Sequence, residues 1–255
     1  MRNVYLYDGS FSSLLYLVVT LLHSSLTPAD IKSYEEYQAN LLDNAISIKL
    51  IEDEIIYKSY LNKLSSKVMH IVYYVYLSSN ERKELVIYYF IKNALKYKDE
   101  IIYRRNLNCV NEALKLSKYV GSENHKFKGF LRFKELDNGL YYAEVTPNNN
   151  IISLLAIHFK DRLRNESFLI KDKKRNIYAL KDESKIYYLN DKDIEKLNIN
   201  LSDNEKDIEE LWKTFFKTIA IKERKNKKAQ MNFMPKRYWK DMIEMEEEYE
   251  NSDKR

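Results

Sequence analysis

The feature that most constrains the fold is a pair of alternating runs joined by a short turn sequence. In residues 126–135 aromatic side chains are interspersed with lysine and arginine, and in residues 140–145 apolar and polar side chains alternate again. Between the runs lies Asp137-Asn138-Gly139, whose glycine suits a tight turn. Because side chains of a half-buried strand alternate between its two faces, this pattern predicts a β-hairpin.

The residues after this hairpin predict a helix and three more strands. A helical spacing of apolar residues covers 151–163, and short strand-like runs cover 167–171, 177–180 and 185–189. The predicted fold class is therefore α+β. A helical N-terminal region is followed by a mostly antiparallel sheet of about five strands, which is flanked by helices.

The N-terminal region is predicted to be mainly helical, with a strand at 4–7, a turn or short helix at Pro28 and a second strand at 45–51. Its helices are predicted at 11–23 after the N-cap Ser10, 54–77, 80–97 and 106–120. The domain prediction is a helical region at 1–122 and an α+β domain at 123–255, or one continuous domain. At the C-terminus we predict a helix at 203–223 and a last helix from Met234. The core face of the first of these is predicted to hold Ile208, Leu211, Trp212, Phe215, Phe216 and Ile219.

Composition excludes several kinds of site but does not identify a reaction. The single Cys109 excludes an internal disulfide and any multi-cysteine metal or iron–sulfur site, and it fits a reducing cytoplasm. The apolar run at 11–23 is too short to span a bilayer. A glycine-rich phosphate loop and the spacings of common zinc motifs are missing from the sequence. We therefore expect no metal site, no bound cofactor and no membrane partner.

Three residues are candidates for catalysis. His125 and His158 are histidines in the cation-rich central block, and Asp172 follows a predicted strand. A histidine titrates near neutral pH and can serve as a general base or a phosphate ligand. The alternative is that these are ordinary structural residues, because nothing in their spacing is diagnostic.

Clusters of cations interleaved with aromatic residues are the strongest chemical signal. Lysine and arginine neutralise phosphates, and aromatic rings stack on unpaired bases. A weak positive net charge of +5 permits such binding without requiring it. The alternative is a solvated strand face beside core aromatics. The candidate nucleic-acid-binding residues are Lys126, Arg132, Arg162, Arg175, Arg224, Arg237, Tyr238 and Trp239.

Ordered motifs also carry a family resemblance over nearly the whole chain. They are YLYDGSF at 5–11, HKFKGFLRFKEL at 125–136, YYAEVTPNNNIISLLAIHFKDRL at 141–163, LIKDKKR at 169–175, LWKTFFKTIAIKERKN at 211–226 and MPKRYWKDM at 234–242. Together they resemble the bacterial "probable DNA metabolism protein" family. The central block resembles a domain of unknown function that also occurs fused to uracil-DNA-glycosylase-like proteins. The chain departs from the family pattern at Leu163 and Phe168, where Phe and Trp are expected.

The resemblance implies a role in DNA repair or modification beside a radical-SAM partner protein. The preferred hypothesis is an accessory protein in which Arg132, Arg162, Arg175 and Arg237 contact DNA phosphates and Tyr238 or Trp239 stacks on a base. One alternative is an enzyme that acts on a DNA base or phosphodiester, with His125, His158 and Asp172 in one pocket. The other is a protein-interaction scaffold without DNA contact, marked by an exposed apolar patch among the N-terminal helices.

Overall fold

The protein is described here by a computed structural model that covers residues 2–47, 54–194, 200–202, 204–219, 224, 226–245 and 249. The chain divides into two compact units, Met1–Gly121 and Ser122–Arg255. None of the described helices is long and apolar enough to cross a membrane.

The first unit contains a three-stranded parallel sheet. Strand β1 (Arg2–Tyr7) lies between β2 (Asp30–Ser33) and β3 (Asp43–Ile46). The predicted strand at 4–7 is thus confirmed, whereas the helix or turn predicted at Pro28 leads instead into β2. From residue 48 onward, the strand predicted at 45–51 lies outside the described residues.

The first unit also contains helices, and one further helix, Asn108–Phe130, begins in it. Helix α1 begins as predicted, because the Ser10 hydroxyl accepts a hydrogen bond from the Ser13 N–H. The single helix predicted at 54–77 is two helices, since Ser65 caps a new one with a hydrogen bond from the Val68 N–H. The helices are α1 (Phe11–His23), α2 (Glu54–Leu61), α3 (Ser66–Tyr76), α4 (Lys83–Tyr97) and a 3-10 helix (Lys98–Tyr103).

The second unit is built on a five-stranded sheet, as the sequence predicts. Strands β5 (Tyr141–Val145) and β6 (Phe168–Asp172) are parallel, helix α6 (Ile152–Arg162) connects them, and the other neighbouring pairs are antiparallel. Helix α6 packs on the sheet through its buried Leu155 and Phe159. The strands, in spatial order, are β4 (Lys134–Glu135), β5 (Tyr141–Val145), β6 (Phe168–Asp172), β7 (Ile177–Asp182) and β8 (Lys185–Asn190).

The first arm of the predicted hairpin is wrong over most of its length. Helix α5 spans Asn108–Phe130, and the strand that pairs with β5 is reduced to β4. The buried residues Val120, Asn124, Phe127 and Leu131 recur every three or four positions, which is the helical period. A short alternation of Phe and Lys fits this period as well as a strand, so the local pattern was ambiguous. The turn at Gly139 is confirmed by its φ of +79°.

The C-terminal part of the second unit contains short helices around α8 (Glu205–Ile219). Of the six residues predicted as the core face of α8, Phe216 packs against the buried Trp239, Met242 and Met245. The prediction is wrong for the others, Ile208, Leu211, Trp212, Phe215 and Ile219, which are exposed. The remaining elements are α7 (Asp191–Ile194), α9 (Lys227–Phe233) and 3-10 helices at Lys236–Asp241 and Ile243–Met245.

Candidate nucleic-acid interface

The last turns of α5 and α6 bring three basic side chains together. Lys128 lies near the end of α5, and His158 and Arg162 lie one turn apart on α6. The charges of Lys128 and Arg162 both act on the His158 imidazole. Arg162 is exposed, and Lys128 and His158 are half-buried. We call Lys128, His158 and Arg162 the cation face.

The cation face is electrostatically unbalanced. Burial lowers the pKa of His158, and the positive charges of Lys128 and Arg162 lower it further, against a smaller opposing effect of Asp161. Within the described part of the chain, neither Lys128 nor Arg162 forms an ion pair, in contrast to Arg132 and Arg175. Lys128 and Arg162 oppose protonation of His158 and have no carboxylate partner among the described residues. Their positive charges therefore favour the binding of an anion.

Arg175 has a different environment, because it holds two loops together. Its guanidinium forms an ion pair with Asp172 at 2.9 Å and donates to the carbonyl oxygens of Pro147, at 3.3 Å, and Asn148. The Asp172 carboxylate also accepts hydrogen bonds from the N–H groups of Lys174 (2.9 Å) and Arg175 (3.3 Å). Both side chains thus fix the turn after β6 to the loop after β5.

A second buried carboxylate holds the same loop from the side of α5. Glu123 accepts hydrogen bonds from the N–H groups of Asn148 (3.0 Å) and Asn149 (2.8 Å) and from the Tyr238 hydroxyl (2.6 Å). Asp241 accepts from the N–H and hydroxyl of Thr146, at 2.8 and 3.0 Å. We call Glu123, Asp172, Arg175 and Asp241, which surround loop residues 146–150, the loop clamp.

Arg132 and Arg237 also contact groups of their own chain. The Arg132 guanidinium lies 2.8 Å from the Glu244 carboxylate and donates a hydrogen bond to the Gly129 carbonyl oxygen at 2.6 Å. It also lies over the Trp212 ring, 5.1 Å from the ring centroid. Arg237 donates to the Tyr238 hydroxyl at 2.9 Å, although much of its side chain is exposed. Of the other predicted cations, Arg224 is exposed and Lys126 is half-buried.

The predicted stacking residues do not offer free ring faces. Tyr238 and Trp239 are 1% and 3% exposed. The Tyr238 ring packs edge-on against Phe127 at 4.9 Å, and the Trp239 indole N–H donates to the Met234 carbonyl oxygen at 2.8 Å. The alternation of cations and aromatics near residue 238 therefore reflects core packing, and the assignment of base stacking to these two rings is corrected.

The three candidate catalytic residues have different surroundings. His125 is exposed on α5 and does not precede a strand as the sequence suggested. His158 belongs to the cation face, where its ring packs against the Phe159 ring with their centroids 5.0 Å apart. Asp172 is fully buried, and its carboxylate is bonded to the N–H groups of Lys174 and Arg175 and to the Arg175 guanidinium, all in its own turn. A carboxylate occupied in this way holds backbone in place, so the geometry gives no support to Asp172 as a proton acceptor for a substrate.

A charged cluster beside β5 is not among the predicted site residues. It lines a pocket of about 310 Å³ whose walls include Tyr142, Glu144 and Asp241. The Tyr142 hydroxyl donates to Glu144 at 2.7 Å, and the Lys173 ammonium lies 3.1 Å from Glu144 and 3.4 Å from Asp241. Tyr142 and Glu144 share one face of a strand, which the sequence could have indicated, but their proximity to residues 173 and 241 depends on the tertiary fold.

The pKa shifts of this cluster favour fixed charges. Burial acts to raise the pKa of Glu144, but the Tyr142 hydroxyl and the Lys173 ammonium outweigh it and lower the pKa. Burial acts to lower the pKa of Lys173, but Glu144 and Asp241 outweigh it and raise the pKa. Both groups are therefore charged at neutral pH, which suits them poorly to proton transfer. Among the described residues, no three His, Cys, Asp or Glu side chains are grouped to hold a metal ion.

Comparison with known proteins gives one match. The family model described as domain of unknown function DUF4130 matches residues 81–244, which is more than half of the chain. This range includes α5, α6, the five-stranded sheet, the cation face and the loop clamp. No curated protein and no solved structure matches the chain. The family description states no activity, so the DNA-metabolism role and the radical-SAM partner stay predictions.

Proposed function

We propose that this chain, which belongs to the family of domain of unknown function DUF4130, is a cytoplasmic accessory protein of DNA repair or modification. In this proposal the protein binds nucleic acid and works beside a radical-SAM partner. Its own contribution is recognition of the nucleic-acid backbone.

The cation face is the observation that carries the proposal. Lys128 and Arg162 lie close enough to act together on His158, and neither forms an ion pair within the described residues. A phosphate brought there meets two positive charges without displacing a carboxylate. Contacts of this kind supply most sequence-independent binding to nucleic acid, because each one releases counterions from the backbone.

The proposal also divides the predicted cations into two groups. Arg162 contacts phosphates together with Lys128, which is not among the predicted candidates, and the exposed Arg224 and half-buried Lys126 are available to add to them. Arg132 and Arg175 act within the protein, because their guanidinium groups already have carboxylate and carbonyl partners. The stacking role is not assigned to Tyr238 or Trp239.

The test is fluorescence anisotropy with labelled single-stranded and duplex DNA, with and without a uracil or an abasic site, over a series of salt concentrations. We expect binding that weakens steeply as salt rises. A preference for single strands or for one lesion would define the substrate class. Release of a cleaved or altered product would instead support the alternative that the protein is an enzyme.

Lack of binding even at low salt would contradict the proposal. The scaffold alternative would then be favoured, in which the protein acts through other proteins alone. The radical-SAM association is tested separately, by co-purification with a co-expressed radical-SAM protein of the kind that the family resemblance implies. The two parts of the proposal can therefore fail independently.

A further inference from the structure

Helix α8 displays a continuous apolar stripe to solvent. Ile208, Leu211, Phe215 and Ile219 are 49%, 69%, 53% and 57% exposed. Their spacing of three, four and four residues places them on one side of the helix. The adjacent side of the helix is occupied, since Phe216 packs on the cluster around Trp239. A row of large exposed apolar side chains is characteristic of a protein-binding surface.

The apolar pattern of α8 is self-complementary. Its large apolar residues are 208, 211, 212, 215, 216 and 219, which are symmetric about the midpoint between residues 213 and 214. If the helix pairs with an antiparallel copy of itself, Ile208 lies opposite Ile219 of the copy and Trp212 lies opposite Phe215. A two-fold symmetric dimer requires this property, because the same patch must fit itself.

The charges of α8 favour the same arrangement. Its first half has carboxylates at 205, 207, 209 and 210 and one lysine at 206, and its second half has lysines at 213 and 217. Glu205 and Glu209 are engaged within the chain, and Asp207 and Glu210 are exposed. An antiparallel pair places the acidic half of one helix beside the basic half of the other and opposes the two helix dipoles. A parallel pair would place like charges side by side.

We propose that α8 is a self-association surface through which two copies of this chain form an antiparallel helix pair. Ile208, Trp212, Phe215 and Ile219 form the centre of the contact, and Leu211 lies at its edge, opposite Phe216 of the copy. The proposal does not depend on nucleic-acid binding, because none of these residues belongs to the cation face.

Sedimentation equilibrium over a range of protein concentrations tests the proposal. The monomer mass is 30.7 kDa, and we expect the average mass to approach twice this value as concentration rises. Ile208→Glu and Phe215→Glu should each raise the dimer dissociation constant about 30-fold or more, as for a central interface residue. Leu41→Glu, at a 98% exposed site outside α8, is the matched control and should leave the constant unchanged.

The proposal is overturned if the wild type stays monomeric at the highest attainable concentration, or if Ile208→Glu and Phe215→Glu dimerise as the wild type does. Thiol cross-linking provides a second test that does not depend on disrupting the interface. In a Cys109→Ser background, a mixture of Ile208→Cys and Ile219→Cys chains should be linked by a short bifunctional thiol reagent. Ile208→Cys alone should not be linked, because its two copies would lie about 16 Å apart along the helix axis. Efficient linking of Ile208→Cys alone would contradict the antiparallel arrangement.

Discussion

The cation face and the loop clamp are built from the same kinds of residue, but their side chains have different partners. In the loop clamp, Arg175 meets Asp172 at 2.9 Å and Glu123 accepts from two backbone N–H groups, so charge is neutralised inside the protein. In the cation face, Lys128 and Arg162 act on His158 and form no ion pair within the described residues. The difference indicates that the first group stabilises the fold and that the second is available to a ligand.

The comparison shows why residue type alone is a weak guide to function. Arg162 and Arg175 are both arginines in a basic stretch, and both were predicted to bind phosphate. A guanidinium that donates to loop carbonyls has few donors left, and replacing it costs stability. The following changes test whether the two regions separate in this way.

Removing Glu123 should have the largest effect on stability. Glu123→Ala leaves the N–H groups of Asn148 and Asn149 and the Tyr238 hydroxyl without their buried acceptor. We expect the free energy of unfolding to fall by about 3 kcal/mol or more, measured by urea denaturation. Glu112→Ala, on the exposed side of the same helix, is the control and should cost less than about 0.5 kcal/mol. Equal losses in both variants would mean that the clamp does not hold the loop.

Replacing Arg175 should reduce stability and leave DNA affinity nearly unchanged. Arg175→Ala removes the ion pair with Asp172 and the hydrogen bonds to the loop after β5. Because Asp172 keeps two backbone donors, we expect a loss of about 2 kcal/mol in urea denaturation. A large loss of DNA affinity with unchanged stability would place Arg175 among the ligand-binding residues after all.

Replacing the cation-face residues should have the opposite effect. Lys128→Ala and Arg162→Ala change solvent-accessible cations without ion-pair partners among the described residues, so thermal unfolding should shift little. Each should reduce the dependence of log affinity on log salt by about 1 for duplex DNA, because one phosphate contact is lost. Lys67→Ala, an exposed lysine of the first unit, should leave the slope unchanged.

A change of pH should give the smallest effect. Burial and the charges of Lys128 and Arg162 lower the pKa of His158 from its usual 6.5, so the imidazole is neutral at pH 7. A bound phosphate favours the protonated ring and raises this pKa, and so affinity should increase a few-fold as pH falls from neutrality through the lowered pKa of the free protein. The increase should disappear in His158→Gln. An increase of the same size in that variant would assign the effect to other groups.

The sequence predicted the second unit better than the first. Strands β6, β7 and β8 and helix α6 lie close to their predicted positions, because each has strong alternation or helical spacing between clear turn residues. Strand β2 was not predicted, since four residues after Pro28 have too little pattern. The end of α5 was mistaken for a strand because its Phe and Lys residues alternate over a short distance.

The candidate site could be predicted only in part for a related reason. Local patterns identify a cation but not its partner when that partner is far away in the chain. The contacts of Arg132 with Glu244 and of Glu123 with Tyr238 join residues more than a hundred positions apart. The prediction that the apolar face of α8 belongs to the core was wrong for a different reason. An amphipathic pattern predicts an apolar face but not whether the same chain covers it.

The most direct test of the central claim is a comparison of salt dependence in three proteins. Duplex DNA affinity would be measured by anisotropy for the wild type, Lys128→Ala/Arg162→Ala and Arg175→Ala, with circular dichroism to confirm folding at the working temperature. We predict that the double variant loses about 1.8 from the salt slope, whereas Arg175→Ala keeps the wild-type slope. An unchanged slope in the double variant, or an equal loss in Arg175→Ala, would contradict the assignment of ligand binding to the cation face.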